Sequence, residues 1–282
     1  MEILKTARSL RAWRAAQTGS LGFVPTMGAL HEGHLSLVRA SRGRDDRTVV
    51  SIYVNPTQFA PGEDLDAYPR TLDRDGDALR AEGVHALFLP DDGVMYPEGF
   101  ATHVAVTGLT EGLCGASRPA HFRGVTTVVA KLFNLVRPDR AYFGQKDAQQ
   151  AAVIRRMTRD LDLGVEVVVC PIVREADGLA MSSRNAYLSP EERQSATCLF
   201  EALEVARRLL EAGERSAAVL RDAMARTVVE RGGPAVRLDY AEVVDPNTLA
   251  PRAAVEGEVL AALAVFFGPT RLIDNALMCP PS

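Results

Sequence analysis

Short apolar runs alternate with longer segments of helical periodicity through the N-terminal part of the chain. Five runs have the length and the apolar content of buried strands: 21–25, 48–54, 86–89, 140–143 and 165–170. The intervening segments 34–41, 72–82, 125–136 and 148–160 place apolar residues at helical spacing. Strands that alternate with helices predict βαβ units, and therefore a Rossmann-like α/β fold with a parallel sheet.

The pattern changes after Pro171. Ser189 followed by Pro190 is typical of a helix start, and two helices are predicted over 191–212 and 217–231. The run Gly-Gly-Pro at 232–234 breaks the chain, and three strands are predicted beyond it, over 238–244, 259–266 and 270–273. We therefore predict a Rossmann-like domain over 1–172 and a smaller α+β C-terminal domain over 173–282.

The chain has 282 residues, a net charge of −4, 47% hydrophobic residues and 24% charged residues. This balance is typical of soluble globular proteins and gives no general attraction to nucleic acid or to an anionic membrane. The N-terminus lacks the apolar core of a secretory signal, and the longest apolar run, 259–267, is too short to span a bilayer. The four cysteines have no C-x-x-C spacing, so we expect reduced thiols and a cytoplasmic protein.

The segment PTMGALHEGHLSL, residues 25–37, joins the first predicted strand to the first predicted helix. Gly28 and Gly33 permit a tight turn and a close approach to a ligand, and the N–H groups at a helix start attract an anion. His31 and His34 are three residues apart, so in a helical turn they share one face and can donate hydrogen bonds to a phosphate. Taken alone, this spacing also fits two core or surface histidines, or half of a zinc site that has no clear further ligands nearby.

Two amide side chains follow the second predicted strand. Asn55 and Gln58 come just after its carboxyl end, which is where open α/β sheets bind ligands. Amides there can bond the hydroxyls and the carboxylate of a small polar acid. The alternative is a structural turn built by Asn55 and Pro56.

A lysine and an aspartate follow the predicted strand 140–143, in the run FGQKD. Lys146 can supply a compact positive charge to phosphate oxygens, and Asp147 can bond a ribose hydroxyl. An ion pair on an ordinary surface is the alternative.

Two further segments have side chains suited to phosphates or to a metal. In MSSRN, Ser182 and Ser183 offer hydroxyls and Arg184 offers a guanidinium fork, a set that suits polyphosphate oxygens, although an ordinary loop can have the same composition. Asp75 belongs to a carboxylate-rich stretch, 64–77, and Mg²⁺ is typically held by one or two carboxylates together with substrate phosphates. A solvated helix face accounts for most of these acidic residues.

With these motifs in this order, the sequence resembles the H-x-G-H class of nucleotidylyltransferases and, more closely, the pantothenate synthetases. The resemblance also covers YVNPTQF (53–59), DLDAYPRT (64–71), the run 118–150, VREADGLAMSSRNAYLSP (173–190) and TRLIDN (270–275). It implies a ligase that uses ATP and Mg²⁺ to adenylate pantoate and then transfers the pantoyl group to β-alanine. It further implies a homodimer, with residues 1–172 binding nucleotide and pantoate and residues 173–282 acting as a lid.

The resemblance also implies roles for individual residues. The residues implied to bind ATP are Pro25, Met27, Gly33, Phe143, Gly144, Lys146, Asp147, Val173, Met181, Ser182 and Arg184. Those implied to bind pantoate are Met27, Asn55, Gln58 and Gln150, and those implied in catalysis are His31, His34, Lys146, Ser182, Ser183 and Arg184. Asp75 matches a family position near the metal, and Gln145 stands where the family usually has Glu.

Two other functions stay open at this point. A different H-x-G-H enzyme would transfer a nucleotide to a phosphate ester, but such a substrate favours more Lys or Arg than Asn55, Gln58 and Gln150 provide. A non-catalytic nucleotide-binding module would be expected to lack the histidine pair or Lys146, and the sequence has all three.

Overall fold

The computed structural model describes residues 1–60, 62–234 and 236–281. The chain divides into two compact units. Unit 1 comprises Met1–Thr107, Arg118–Gln145 and Val153–Pro171, and unit 2 comprises Gly108–Ser117, Lys146–Ala152 and the chain from Ile172 onward. The two short segments of unit 2 that precede Ile172 have no counterpart in the predicted division at residue 172, which stays a prediction.

Unit 1 contains a six-stranded parallel sheet with the order β1-β4-β3-β2-β5-β6. Its strands are β1 (Glu2–Leu4), β2 (Leu21–Thr26), β3 (Arg47–Ile52), β4 (Ala86–Phe88), β5 (Arg140–Gly144) and β6 (Glu166–Cys170). The helices up to the end of this sheet are α1 (Ala7–Ala15), α2 (Glu32–Arg42), α3 (Leu72–Ala81), α4 (Asp92–Met95), α5 (Cys114–Ser117), α6 (His121–Val136) and α7 (Ala148–Asp160).

The central strands are apolar on both faces because each face packs into a separate core. Along β2, Phe23 belongs to one buried cluster and Val24 to the other, and along β3 Val49 and Val50 divide in the same way. Side chains alternate across a strand, so a strand covered on both faces has a continuous apolar run. This explains why these segments lack the alternating pattern of a half-exposed strand.

The order in which the strands are added to the sheet reverses between β2 and β5. The chain adds β3 and β4 on one side of β2, and then β5 on the other side. Pairing of β2 with β5 joins Gly22 to Arg140 and Phe23 to Ala141, at the start of both strands, whereas Pro25 near the end of β2 has no N–H to donate. Ligands of open α/β sheets bind at the carboxyl ends of strands that flank such a switch point.

Unit 2 contains an antiparallel sheet of β7 (Val236–Val244), β8 (Val259–Phe267) and β9 (Thr270–Met278), in that order. The helices that follow β6 are α8 (Pro190–Ser195), α9 (Cys198–Glu211) and α10 (Ala217–Gly232). One buried cluster contains residues of α9, α10 and this sheet, including Leu203, Leu220, Leu263 and Phe267. The predicted fold class, a Rossmann-like parallel sheet with a smaller α+β part, is therefore confirmed.

Three local predictions differ from the structure. The helix predicted over 191–212 is two helices, α8 and α9, and the Thr197 hydroxyl donates to the carbonyl of Gln194 at the break between them. The strand predicted over 270–273 continues to Met278. The pair β1 and α1 was not predicted, and α1 begins with a capping box between Thr6 and Ser9. None of the described helices combines the length and the apolar character that crossing a membrane requires.

Candidate active site

The turn between β2 and α2 has an unusual backbone. Gly28 has a φ of +86° and Ala29 has a φ of +50°, and the second value is unfavourable for a residue with a side chain. Asp75, which is 1% exposed, stabilises this conformation. Its two carboxylate oxygens accept hydrogen bonds from the N–H of Ala29 and the N–H of Leu30, each at 2.9 Å. The strained turn is therefore held in place by a buried charge from α3.

The histidine pair begins α2, and each ring accepts a backbone hydrogen bond through Nδ1. The N–H of Gly33 donates to His31 Nδ1 at 3.1 Å, and the N–H of His31 donates to His34 Nδ1 at 3.4 Å. The two ring centroids are 4.1 Å apart. An imidazole nitrogen that accepts from an N–H carries no proton, so the neutral rings have their protons on Nε2. Both histidines are thus fixed in the tautomer whose outer nitrogen is a donor.

Asn55 is 1% exposed, and the protein itself occupies both ends of its amide. Its Oδ1 accepts from the Tyr96 hydroxyl at 2.7 Å and from the Thr57 hydroxyl at 2.9 Å. Its Nδ2 lies 3.2 Å from both Gln58 Oε1 and the carbonyl of Gly124. Burial raises the pKa of Tyr96, so at neutral pH its hydroxyl remains a donor. These bonds give Asn55 a positioning role, and its predicted contact with pantoate stays a prediction.

Gln58 is oriented by this network. Its Oε1 accepts from Asn55, and its Nε2 is 2.9 Å from the sulfur of Met27, which follows β2. Its own carbonyl accepts from Arg118 Nη2 at 3.2 Å and lies 2.9 Å from His121 Nδ1. Met27 and Gln58, two of the three unit 1 residues predicted to bind pantoate, are therefore in contact, and Asn55 bonds Gln58.

The start of α6 approaches this segment closely. A side chain at Gly124 would place its Cβ 2.3 Å from the carbonyl oxygen of Thr57. Only glycine allows this approach, which brings the carbonyl of Gly124 within reach of Asn55. Neither this contact nor Tyr96 as a partner of Asn55 was predicted from the sequence.

The second group of predicted residues follows β5. Phe143 and Gly144 end this strand, and Lys146 comes two residues later, with Nζ 4.0 Å from Asp147 Oδ2. Gln150 lies in the first turn of α7. The adjacent Gln149, which was not predicted, is buried, and its amide bonds the N–H of Cys114 and the carbonyls of Leu109 and Gly112 within unit 2.

The predicted phosphate loop follows a short hairpin in unit 2. The N–H of Met181 donates to the carbonyl of Val173 at 3.0 Å, which aligns the two arms of the hairpin. Ser182 then caps a short 3-10 turn over Ser183–Tyr187, and its hydroxyl oxygen accepts from the N–H of Arg184. The loop therefore begins from a defined backbone position rather than from an extended linker.

The structure groups the predicted residues by unit. Within unit 1 it brings together Pro25, Met27, His31, Gly33, His34, Asn55, Gln58 and Asp75, near the ends of β2 and β3. Unit 2 holds Lys146, Asp147, Gln150, Val173, Met181, Ser182, Ser183 and Arg184. Convergence of the two sets on one nucleotide stays a prediction.

The predicted role of Asp75 as a Mg²⁺ ligand does not fit its surroundings. Besides the two N–H groups of the turn, its Oδ1 accepts from the Thr71 hydroxyl at 3.0 Å. Across 1–60, 62–234 and 236–281, no group of three or more His, Cys, Asp or Glu side chains is placed to hold a metal ion. We therefore derive no metal-dependent step from Asp75.

Fold and site together define an α/β enzyme of the nucleotide-activating type, with a histidine pair at the helix start beside a switch point. Residues 2–277 match the family model described as "Pantoate-beta-alanine ligase". The chain belongs to this family.

Known proteins resemble the chain along nearly its whole length. It is 57% identical to a pantothenate synthetase of Moorella thermoacetica, over 99% of both chains, and 60% identical to one of Acidobacterium capsulatum, over 93% of this chain and 87% of that protein. The crystal structure of pantothenate synthetase from Thermus thermophilus has a TM-score of 0.93 at 49% identity, covering 98% and 99% of the two chains. A Francisella tularensis pantoate-beta-alanine ligase, described as complexed with "Beta-gamma ATP and Beta-alanine", has a TM-score of 0.81 at 32% identity, covering 98% and 97%.

The role of Asp75 can be tested with Asp75→Asn. One oxygen is replaced by an NH₂ group that faces a backbone N–H, so we expect a loss of about 1–3 kcal/mol in the free energy of unfolding and at least about tenfold slower catalysis. The Mg²⁺ concentration for half-maximal activity should stay unchanged, because the carboxylate supports the turn and not the ion. Asp73→Asn, an exposed carboxylate in the same helical turn, is the matched control. A large rise in the required Mg²⁺ would contradict this role.

Proposed function

We propose that His31 and His34 stabilise negative charge on the α-phosphate of ATP while the chain ligates pantoate to β-alanine. The observation that carries this assignment is the backbone bond to Nδ1 of each ring, which fixes both outer nitrogens as donors at the start of α2. Donors held in place before the reaction stabilise a developing charge without reorganisation. The positive end of the α2 dipole acts in the same direction.

The reaction proceeds in two steps. A carboxylate oxygen of pantoate attacks the α-phosphorus of ATP, the bond from that phosphorus to the bridging oxygen breaks, and pyrophosphate leaves. The amine of β-alanine then attacks the acyl carbon of pantoyl adenylate, loses a proton, and expels AMP to give pantothenate. Neither step needs a covalent bond to the protein, so its contribution is positioning, electrostatic stabilisation and exclusion of water from the adenylate.

Pantoate is assigned to the amide cluster at the end of β3. Gln58 and Met27 provide a polar and an apolar surface side by side, and Asn55 fixes the orientation of Gln58. Gln150 in α7 is the further pantoate ligand in this assignment. Neutral amides suit a hydroxy acid, whereas a phosphate ester would favour cations.

ATP is assigned to the switch point and to the phosphate loop. The backbone contacts to the nucleotide are assigned to Pro25, Gly33, Phe143 and Gly144. Asp147 bonds the ribose. The adenine side is contacted by Val173 and Met181. Lys146 neutralises phosphate charge, and Ser182, Ser183 and Arg184 hold the β- and γ-phosphates as pyrophosphate departs.

Mg²⁺ enters in this proposal with ATP and not through a site built by the protein alone. The ion retains water readily and is commonly held by substrate phosphates with few protein ligands. When bound, it neutralises charge on the phosphates. No protein ligand is assigned to it.

The remaining proposals concern assembly and compartment. A homodimer is supported by β6, an edge strand whose Val167, Val168 and Val169 are only partly buried, because exposed apolar sheet edges favour pairing with another chain. A cytoplasmic location is supported by the free thiols of Cys114, Cys170, Cys198 and Cys279, which suit a reducing compartment.

Residues 173–282 act as a lid in this proposal.

The histidine assignment predicts that His34→Ala slows adenylate formation by at least about 10²-fold while the fold is retained. The measurement is pantoate-dependent exchange of labelled pyrophosphate into ATP, with thermal unfolding as the check on folding. His103→Ala, which changes an exposed histidine of unit 1, should leave the exchange rate unaltered. An unchanged rate in His34→Ala would remove the histidine from the mechanism.

A pair of variants at His31 separates catalysis from helix capping. Asn caps a helix well, so His31→Asn should preserve stability, whereas His31→Ala should lose about 1 kcal/mol in the free energy of unfolding. Both should lose exchange activity, because both lack the imidazole donor. If His31→Asn exchanges pyrophosphate at the normal rate, the ring acts only as a cap.

Substrate omission tests the overall reaction. With ATP and Mg²⁺ present, pyrophosphate exchange should require pantoate but not β-alanine, and sustained AMP release should require both. A phosphate ester offered in place of pantoate should support neither. Exchange with the ester and none with pantoate would instead identify a nucleotidylyltransferase of another specificity.

The homodimer predicts a molar mass in solution of twice the 30.5 kDa chain. Light scattering on the eluting peak of a sizing column measures this mass directly, and dilution across the micromolar range tests whether the assembly dissociates. The mass of a single chain at every concentration would exclude the dimer.

A further inference from the structure

Asp274, near the middle of β9, forms an ion pair with Arg174 that has no role in the assignments above. Asp274 has a fully buried side chain, and Arg174 binds it through two nitrogens, at 2.6 and 3.0 Å. Burial raises the pKa of Asp274, and the hydrogen bonds and charge of Arg174 act against that rise. A carboxylate this deeply buried is retained at a cost, so its partners indicate what it does.

One partner leads to the predicted phosphate loop. Arg174 lies on the first arm of the hairpin before that loop, and its Nη1 also donates to the carbonyl of Gly178 at 3.0 Å. Arg174 pairs with Ala180 across the hairpin, one residue from Met181 and two from Ser182. The guanidinium therefore fixes the turn from which Ser182 emerges.

The other partner leads to the lysine. Asn275 is 4% exposed, and its Nδ2 donates to the carbonyl of Lys146 at 2.9 Å. The N–H of Asn275 donates to Asp274 Oδ1 at 2.8 Å, so the two residues form one continuous network. All of these contacts lie within unit 2.

We propose that Arg174, Asp274 and Asn275 are positioning residues that hold the Lys146 turn and the Ser182–Arg184 loop at a fixed separation. The inference rests on the proposed phosphate-binding role of Lys146. Two segments that are distant in sequence must act on one triphosphate, and β9 joins both of them through buried hydrogen bonds. Because small displacements of charged groups affect the transition state most, a looser network should slow catalysis while ATP binding changes less.

The test is a double-mutant cycle between Asn275→Ala and Lys146→Ala. Asn275→Ala removes the bond to the Lys146 carbonyl and should lower the pyrophosphate exchange kcat about tenfold, with the KM for ATP changed less than about threefold. In the Lys146→Ala background the same change should have less than about a twofold effect, because the ammonium group that the bond positions is absent although the backbone carbonyl remains. Rates are expressed per ATP-binding site, titrated separately, so a smaller folded fraction cannot imitate the result.

A matched control comes from the same sheet. Asp239 on β7 binds Arg271 on β9 through two nitrogens, with both side chains largely buried, but this pair contacts neither Lys146 nor Arg174 through any bond described for it. Asp239→Asn should lower thermal stability without the kcat effect. If Asn275→Ala fails to fold, Asn275→Ser supplies the same loss of the amide donor with a smaller change in polarity.

Each outcome separates the positioning role from the function of Lys146. A tenfold effect of Asn275→Ala that persists in the Lys146→Ala background overturns the positioning role but leaves the function of Lys146 intact. A normal exchange rate in Asn275→Ala or Asn275→Ser also overturns the positioning role and leaves the function of Lys146 intact. A normal rate in Lys146→Ala itself refutes the phosphate-binding role of the lysine, and the inference is overturned with it.

Discussion

The hydrogen bonds from Ala29 and Leu30 to the carboxylate of Asp75 are the constraint on which the histidine site depends. They hold a turn in which two successive residues have positive φ, and this turn sets the direction in which α2 begins. Once α2 begins at His31, its first backbone N–H groups determine which nitrogen of each ring carries the proton. A buried carboxylate thus sets the backbone from which both rings are held.

The same relation recurs around Asn55 and in unit 2. Asn55 is saturated by Tyr96, Thr57 and Gly124, and its remaining bond orients Gln58. Asp274 is saturated by Arg174 and by the backbone of the next residue. In each case a fully buried polar side chain has its partners in the protein, as burial requires, and it fixes the position of a neighbouring residue.

Much of the fold could be predicted because its signals are local. Doubly covered strands such as β2 and β3 are apolar throughout, and Gly28 and the histidines lie next to a predicted strand end. The continuation of β9 beyond Ile273 could not be predicted, because it depends on a partner that the local pattern does not contain. A strand predicted from the sequence stops before Asp274, because burial of a carboxylate is unfavourable. Arg174, far earlier in the chain, pairs with this carboxylate and makes its burial possible.

The surroundings of Asp75 likewise could not be predicted. Asp75 matches a family position near the metal and lies in an acidic stretch, and sequence alone gives no measure of which aspartates are buried. A carboxylate that is 1% exposed and already accepts from two N–H groups and a hydroxyl has little capacity left for an ion. Residues that position a site therefore resemble ligands in sequence but differ in burial, and the polar residues with the most complete hydrogen bonding are those least suited to contact the substrate.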